Sequence, residues 1–424
     1  MLRSGLFKIL IFSLSFWAAP LLCLALTEGS RIQSPSTQQE QNKVESLLRL
    51  PRNPKFTAHR RIIEELRRMA VSSQVARDAL LRCLLNPELV DPYGLHVVEI
   101  AEALAQVEGL DIRAVIPEGL ETDSRTLERR LILTGMMGTR AKSAIPFLLR
   151  ELKEPEVDAN LRGALRVVLA GTGYDSPENL KAIQDDITMR SDAGKGAVHM
   201  ISLIGKADWI NDAILSEIVK WLGKPDEVSA DAALALGRLG PRARSAAARL
   251  KALLSAAQEN EDLGTLRIVY GFALVTMNLE DQDVILRQTL KYCGTCGNHT
   301  DFTAMEYVAR FIKPDLLKRV VEMLNDKDPE IVIGVVRMIS AVGADAREAA
   351  PELIKIIESA EDDRVRESVP AALIEVADVS VIGRLQSLLG KERSPDVRER
   401  LEGAIEDLRL LADAMDQVKG EKAQ

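Results

Sequence analysis

The chain has little with which to do chemistry. Its 424 residues include four histidines and four cysteines, and aromatic residues make up only 4%. No G-x-S-x-G, H-E-x-x-H or G-x-x-x-x-G-K signature occurs, so acyl-transfer, zinc-peptidase and nucleotide chemistry have no anchor in the sequence. No catalytic residue is assigned and no cofactor is expected. The shortage of aromatics also disfavours a sheet-built core, which draws on aromatic and β-branched residues. No segment alternates convincingly with period two, so almost no strand is predicted. Positive charge is in deficit: 55 Lys and Arg stand against 63 Asp and Glu, a formal net charge of −8. An acidic chain lacks the basic footprint that nucleic-acid binding needs. The local exception, "HRRIIEELRRMA" from His59 to Ala70, is expected to be a solvated helix face or to lie near anionic lipid.

What is present begins with an unusual N-terminus. "MLRSGLFK" carries Arg3 and Lys8, and "ILIFSLSFWAAPLLCLAL" follows without a charge. A basic start, an apolar run and small residues at its end form a secretory signal, residues 1–25, cleaved after Ala25. The alternative is an uncleaved anchor over residues 9–26, the only membrane contact foreseen. Export, with a periplasmic location, places the protein in an oxidising compartment where cysteines tend to pair. Removing the signal shifts the charge from −8 to −10. Residues 26–55 have the polar composition of a flexible linker, and 413–424 that of a fraying tail.

Between them, over residues 56–412, the chain repeats. "GTRAKSAIPFLLREL" from Gly138, "GPRARSAAARLKALL" from Gly240 and "GADAREAAPELIKII" from Gly343 align without gaps. Each has Ala at +3 and +6, Pro or Ala at +8, Leu at +10 and Leu or Ile at +14. The last two lie one turn apart on one helix face, and small residues permit close helix approach. Helix breakers recur at Gly109, Gly138, Gly173, Gly205, Gly240, Asn278, Pro314, Gly343 and Asp378, spaced 29 to 38 residues apart. A period in that range signals stacked helix pairs. The expected fold is all-α, an α-solenoid of about ten helix pairs.

The pattern G-x-x-A-x-x-A-x-P-x-L-x-x-x-L, followed by a Val-Arg pair and a helix ending in Gly, resembles HEAT repeats, in particular the short type first noted in phycobilisome lyases. Val365-Arg366 is the best match to the pair; Leu161-Arg162 and Leu266-Arg267 are variants. The resemblance implies an armadillo/HEAT-type superhelix whose second helices line a concave surface. It implies a non-catalytic scaffold or adaptor for a protein partner, with an enzyme-accessory or lyase-like role as the alternative. Export argues against the latter, since those pigment-attachment proteins work inside cells. The arginine of the pair is expected to reach an acidic residue of the next turn and set the angle between repeats.

The one stretch that looks like chemistry is "KYCGTCGNHTDF", residues 291–302. Gly297 separates Cys296 from a following histidine, which excludes covalent haem attachment. The helical "ILRQTLKY" before Cys293 puts the pair at a helix end, where the dipole disfavours a thiolate and thioredoxin-like redox chemistry. Two readings remain. Cys293 and Cys296 form a disulfide that pins a turn on the rim, or they bind zinc with His299 and Asp301, which would make the protein a metal-binding sensor. Cys23 belongs to the signal, and Cys83 sits on an apolar helical stripe as a buried thiol. His96 and His199 have no carboxylate or nucleophile arranged around them in the sequence. Trp209 and Trp221 are expected in the core, with a partner anchor as the alternative.

Overall fold

The computed structural model describes residues 35–48, 58–86, 97–116, 124–205, 208–223, 225–258, 260, 263–296, 299–310 and 312–420. Among them are twenty-two α-helices and no strand. Helix α1 (Pro35–Leu48) comes first, then α2 (Ala58–Ala70), α3 (Gln74–Leu85), α4 (Val97–Gln106), the short α5 (Ile112–Val115) and α6 (Ser124–Met137). Outer and inner helices then alternate: α7 (Ile145–Glu151) with α8 (Ala159–Gly171), α9 (Pro177–Thr188) with α10 (Asp192–Ile204), and α11 (Asp212–Lys220) with α12 (Glu227–Leu239). The series continues with α13 (Ala247–Gln258) and α14 (Gly264–Thr276), α15 (Gln282–Thr295) and α16 (His299–Ala309), and α17 (Pro314–Glu322) and α18 (Pro329–Val342). It ends with α19 (Ala350–Ser359) and α20 (Asp363–Val376), then α21 (Ile382–Leu389) and α22 (Pro395–Gly420). The inner helices α4, α6, α8 and so on to α22 pack each on the next in a continuous row. This is the α-solenoid the repeats predict.

The breakers do the work their spacing implies. Gly109, Gly138, Gly173, Gly205, Gly240 and Gly343 all have positive φ, as does Asn278. Only Gly, or less often Asn, takes that conformation cheaply, and it is what turns the chain out of a helix. In the three aligned segments the chain passes first through a 3-10 turn, Gly138–Ala144, Gly240–Ala246 or Gly343–Ala349. The kink falls on the +3 alanine each time, at Ala141, Ala243 and Ala346. These alanines are buried. The +10 leucines Leu148, Leu250 and Leu353 are fully buried, each contributing about 1.5–3 kcal/mol by leaving water. Inner helices such as α14 are buried nearly all round, through Ile268, Val269, Tyr270 and Phe272, as expected of a helix flanked by neighbours on several sides.

The arginine of the Val-Arg pair behaves differently from expectation. It turns back to the carbonyl ends of the outer helix in its own pair. Arg162 donates to the carbonyls of Val157, Leu152 and Glu154, the first at 2.9 Å. Arg267 donates to those of Ala257, Gln258 and Asn260 at 2.7 to 3.1 Å. Arg366 reaches the Ala360 and Glu361 carbonyls, and it alone of the three also meets the next turn's acid, Glu392, at 3.1 Å. Two further members were missed in the sequence. Arg77 holds the Ala70 and Val71 carbonyls, and Arg398 holds those of Leu389 and Glu392. All five occupy the fourth position of their helix. The reason is local: a helix end leaves four carbonyls without a backbone donor, and the guanidinium fork satisfies several at once.

Two boundaries differ from the sequence-based expectation. Residues 35–48, inside the expected flexible linker, form α1, whose Val44 and Leu47 are fully buried. Polarity of composition hid two apolar residues three apart that make one small helix face. Residues 413–420, placed in the fraying tail, continue α22 to Gly420, because no breaker intervenes. Residues 1–25 lie outside the described residues, as does the apolar run 9–26. Among the described residues no helix is long and apolar enough to cross a membrane.

The array also curls back on itself. Helix α1 packs against α22, and α2 against the Gly343–Ala349 turn. Arg67 on α2 pairs with Asp345 in that turn at 3.1 Å.

Candidate functional site

The Cys293–Cys296 stretch lies where α15 ends, with α16 starting at His299. It is not an exposed rim turn. Cys293 is fully buried and Cys296 nearly so. Where a disulfide was expected, Cys296 Sγ donates to the Cys293 carbonyl at 3.0 Å. What holds the turn is Arg337 on α18. Its Nη1 donates to the Cys293 carbonyl at 2.7 Å and to the Cys296 carbonyl, and lies 3.6 Å from Cys296 Sγ. Five outer helices, α2, α7, α13, α19 and α21, receive this cap from the fourth residue of the helix that follows. In α16 that residue is Phe302, which has no donor, so the next inner helix supplies it. Gly294, between the cysteines, is a contact point with α18: a Cβ there would lie 1.8 Å from the Glu330 carbonyl oxygen. Helix-to-helix backbone contact is why position 294 must be glycine.

For the zinc reading, the side chains of His299 and Asp301 lie outside the described residues. Among the described residues no three His, Cys, Asp or Glu side chains are grouped to hold a metal. Cys83, the other buried thiol, has its pKa pushed up to about 12 by burial, against the opposing charge of Arg82, and is poorly suited to nucleophilic or ligand roles.

The tryptophans flank α11 rather than sharing its face. Trp221 caps its C-terminus, is buried, and donates Nε1–H to the Ile187 carbonyl at 2.8 Å. Trp209 is half-buried against the same core. His59 starts in α2 with its side chain outside the described residues, and His96 lies outside them altogether.

His199 is the surprise. It projects from α10 between two carboxylates, with Nδ1 3.1 Å from Asp231 on α12 and Nε2 3.8 Å from Glu128 on α6. Asp231 is the larger cause of a pKa raised to about 9; burial opposes and Glu128 adds to it. The ring is therefore protonated at neutral pH. The carboxylates come from 71 residues before and 32 after, and only the stacking of inner helices brings them together. Further groups face the same interior. The Tyr307 hydroxyl on α16 is pushed up by burial, with Arg310 opposing and Asp231, Glu306 and Glu128 adding. Arg310 lies over the Tyr307 ring, 5.2 Å from its centre. Arg238 on α12 is lowered to about 10, chiefly by burial and then by Arg310, with Glu102 on α4 opposing. The inner helices thus meet across a narrow interior lined by charges of both signs.

One family comparison supports the repeat reading over part of the chain. The family profile for HEAT repeats matches residues 300–374. An engineered protein of known structure, a Northeast Structural Genomics Consortium target, is 17% identical over 87% of this chain and 99% of its own, with a TM-score of 0.24. No curated protein sequence matches the chain. The chain is thus an all-α solenoid in which residues 300–374 are similar to HEAT repeats.

Proposed function

We propose that the protein is an exported, non-catalytic adaptor that takes a protein partner through the inner face of its array. The observation that carries this reading is the charged lining of that face, gathered from α4, α6, α10, α12 and α16 around Glu102, Glu128, His199, Asp231, Arg238 and Arg310. Charges of both signs gathered along one partly accessible surface suit recognition and specificity. Elsewhere, among the described residues, the exposed large apolar side chains are Val71, Tyr174, Met189 and Val284, which sit on separate elements and form no docking patch. The partner segment is accordingly polar and carries charge. Export rests on the N-terminal pattern of Arg3, Lys8 and the apolar run that follows.

A photo-crosslinking amino acid placed at Glu102 or Asp231 on the inner face, and at Met189 or Val284 outside, tests the reading in producing cells. Adducts from the inner positions alone, lost when Arg238 and Arg310 are both changed to Glu, are expected. Adducts confined to the outer positions overturn it. Sequencing the mature N-terminus tests export; the expected first residue is Leu26.

A further inference from the structure

We infer that the groove between the outer helices α13 and α15 is a binding site for a small organic carboxylate with an apolar body, whose charge is taken by Arg267. The site lies on the outer surface and goes beyond the inner-face reading of function.

Three observations carry it. First, the groove has the size and lining of a small-molecule cleft. Its volume is about 340 Å³, and such clefts run from about 300 to 1,000 Å³. Leu254 of α13 and Tyr292 of α15 give it an apolar floor, and Gln258, Lys291 and Thr295 are exposed along it. An inorganic anion would leave that floor wet, whereas an apolar body covers it.

Second, the cation is fixed before any ligand arrives. Arg267 of α14 also lines the groove. Its Nε and Nη2 donate to the carbonyls of Ala257, Gln258 and Asn260, and its guanidinium lies 4.7 Å from the centre of the Tyr292 ring. Among the described residues Nη1 makes no hydrogen bond and no carboxylate pairs with this arginine. A guanidinium held so has little freedom left to lose on binding, and its planar edge matches a carboxylate. Lys291 adds charge of the same sign; it is bonded to Asp328 at 2.8 Å, which leaves its other N–H donors for a ligand.

Third, a sister unit shows what this clamp accepts. Arg366 is the fourth residue of α20, as Arg267 is of α14. While it donates to the Ala360 and Glu361 carbonyls, Arg366 also binds the carboxylate of Glu392, just past the end of α21, at 3.1 Å. Capping a helix end therefore does not exhaust the charge of this arginine. The position 26 residues beyond Arg267, as Glu392 is beyond Arg366, falls at Cys293 beside Tyr292. No acid occurs from Lys291 to Cys296. The chain supplies a carboxylate to one clamp, and beside the other it places a groove.

The test uses the full chain with 2-naphthoate as the probe and 2-naphthamide as its uncharged counterpart, measured by isothermal titration calorimetry. Thr295 lines the groove and is exposed, so changing it leaves the core intact. Thr295→Glu supplies an internal acid in the manner of Glu392, and Thr295→Lys adds a cation. Both variants should keep the native circular dichroism. 2-Naphthoate should bind the native chain about tenfold or more tighter than the amide, a difference of about 1.4 kcal/mol. Its affinity should fall about tenfold in Thr295→Glu and rise in Thr295→Lys. No binding, equal affinity for acid and amide, or one affinity across native and variant chains overturns the proposal. Tighter binding of tetraglutamate than of 2-naphthoate also overturns it, since the groove would then dock an acidic protein segment. Binding that appears only in Glu259→Gln/Glu261→Gln/Asp262→Asn overturns it as well, because the chain's own loop would then fill the groove.

Discussion

Gly294 on α15 and Gly334 on α18 face each other's helix backbones. A Cβ on the first would lie 1.8 Å from the Glu330 carbonyl oxygen, and one on the second 1.8 Å from that of Leu290. No rotamer change relieves a clash with backbone, so Gly294→Ala must push the helices apart. Such overpacking costs about 1–3 kcal/mol. The control is Gly383→Ala or Gly403→Ala, where a Cβ meets nothing within 4 Å; on an exposed helix these should stabilise by about 0.4–1 kcal/mol. Urea unfolding of the three variants checks both signs.

Arg337 is the cap of α15. Arg337→Met removes donors from the Cys293 and Cys296 carbonyls, at a cost of about 1.5–3 kcal/mol for charge-assisted bonds. The turn should also loosen. Alkylation resolved by mass spectrometry should show Cys296 becoming reactive while Cys83 stays protected. Equal protection of both in the variant would mean that packing alone holds the turn.

The zinc and disulfide readings of the same turn are tested on the native chain. Elemental analysis of the purified protein should show no zinc that is lost with Cys296→Ser. Thiol titration after denaturation without reductant should count Cys293 and Cys296 as thiols.

His199 makes stability depend on pH. Its folded pKa of about 9 lies above the ordinary 6.5, so the folded state holds the proton more tightly. The stabilisation is complete below about pH 6.5 and disappears as pH rises through 9. The native protein should lose thermal stability over that window. His199→Gln should flatten the curve, and Asp231→Asn should flatten it more than Glu128→Gln because Asp231 is the closer partner. Melting temperatures across the range decide the matter.

Arg267 clamps three carbonyls at the end of α13 and lies over the Tyr292 ring, 4.7 Å from its centre. Arg267→Lys keeps the charge but loses the fork, so it should still cost about 1–2 kcal/mol in denaturant unfolding. Full rescue by lysine would show that charge alone matters.

The repeat frame was legible because its signals are local. Seven of the nine breakers, from Gly109 to Gly343, are positive-φ positions, and the +3 alanines and +10 leucines are buried as their spacing requires. The Val-Arg rule was legible in three units, and Arg77 and Arg398 show that it extends to five. Its direction was misjudged, since carbonyl ends carry no side-chain label in a sequence. The Cys293–Cys296 turn was misplaced on the rim for a related reason: nothing at residues 291–302 announces that Gly334 and Arg337 will cover it.

The sequence by itself determined the helices, their breaks and their stacking, because each depends on residues within one repeat: a glycine that can turn, alanines that fit, leucines that bury. Tertiary structure alone decided which charges meet in the interior and that the first helix closes on the last. Those contacts depend on the small angle between repeats, summed over the whole array. His199 finds Asp231 and Glu128, and Arg67 finds Asp345, only after that sum is complete.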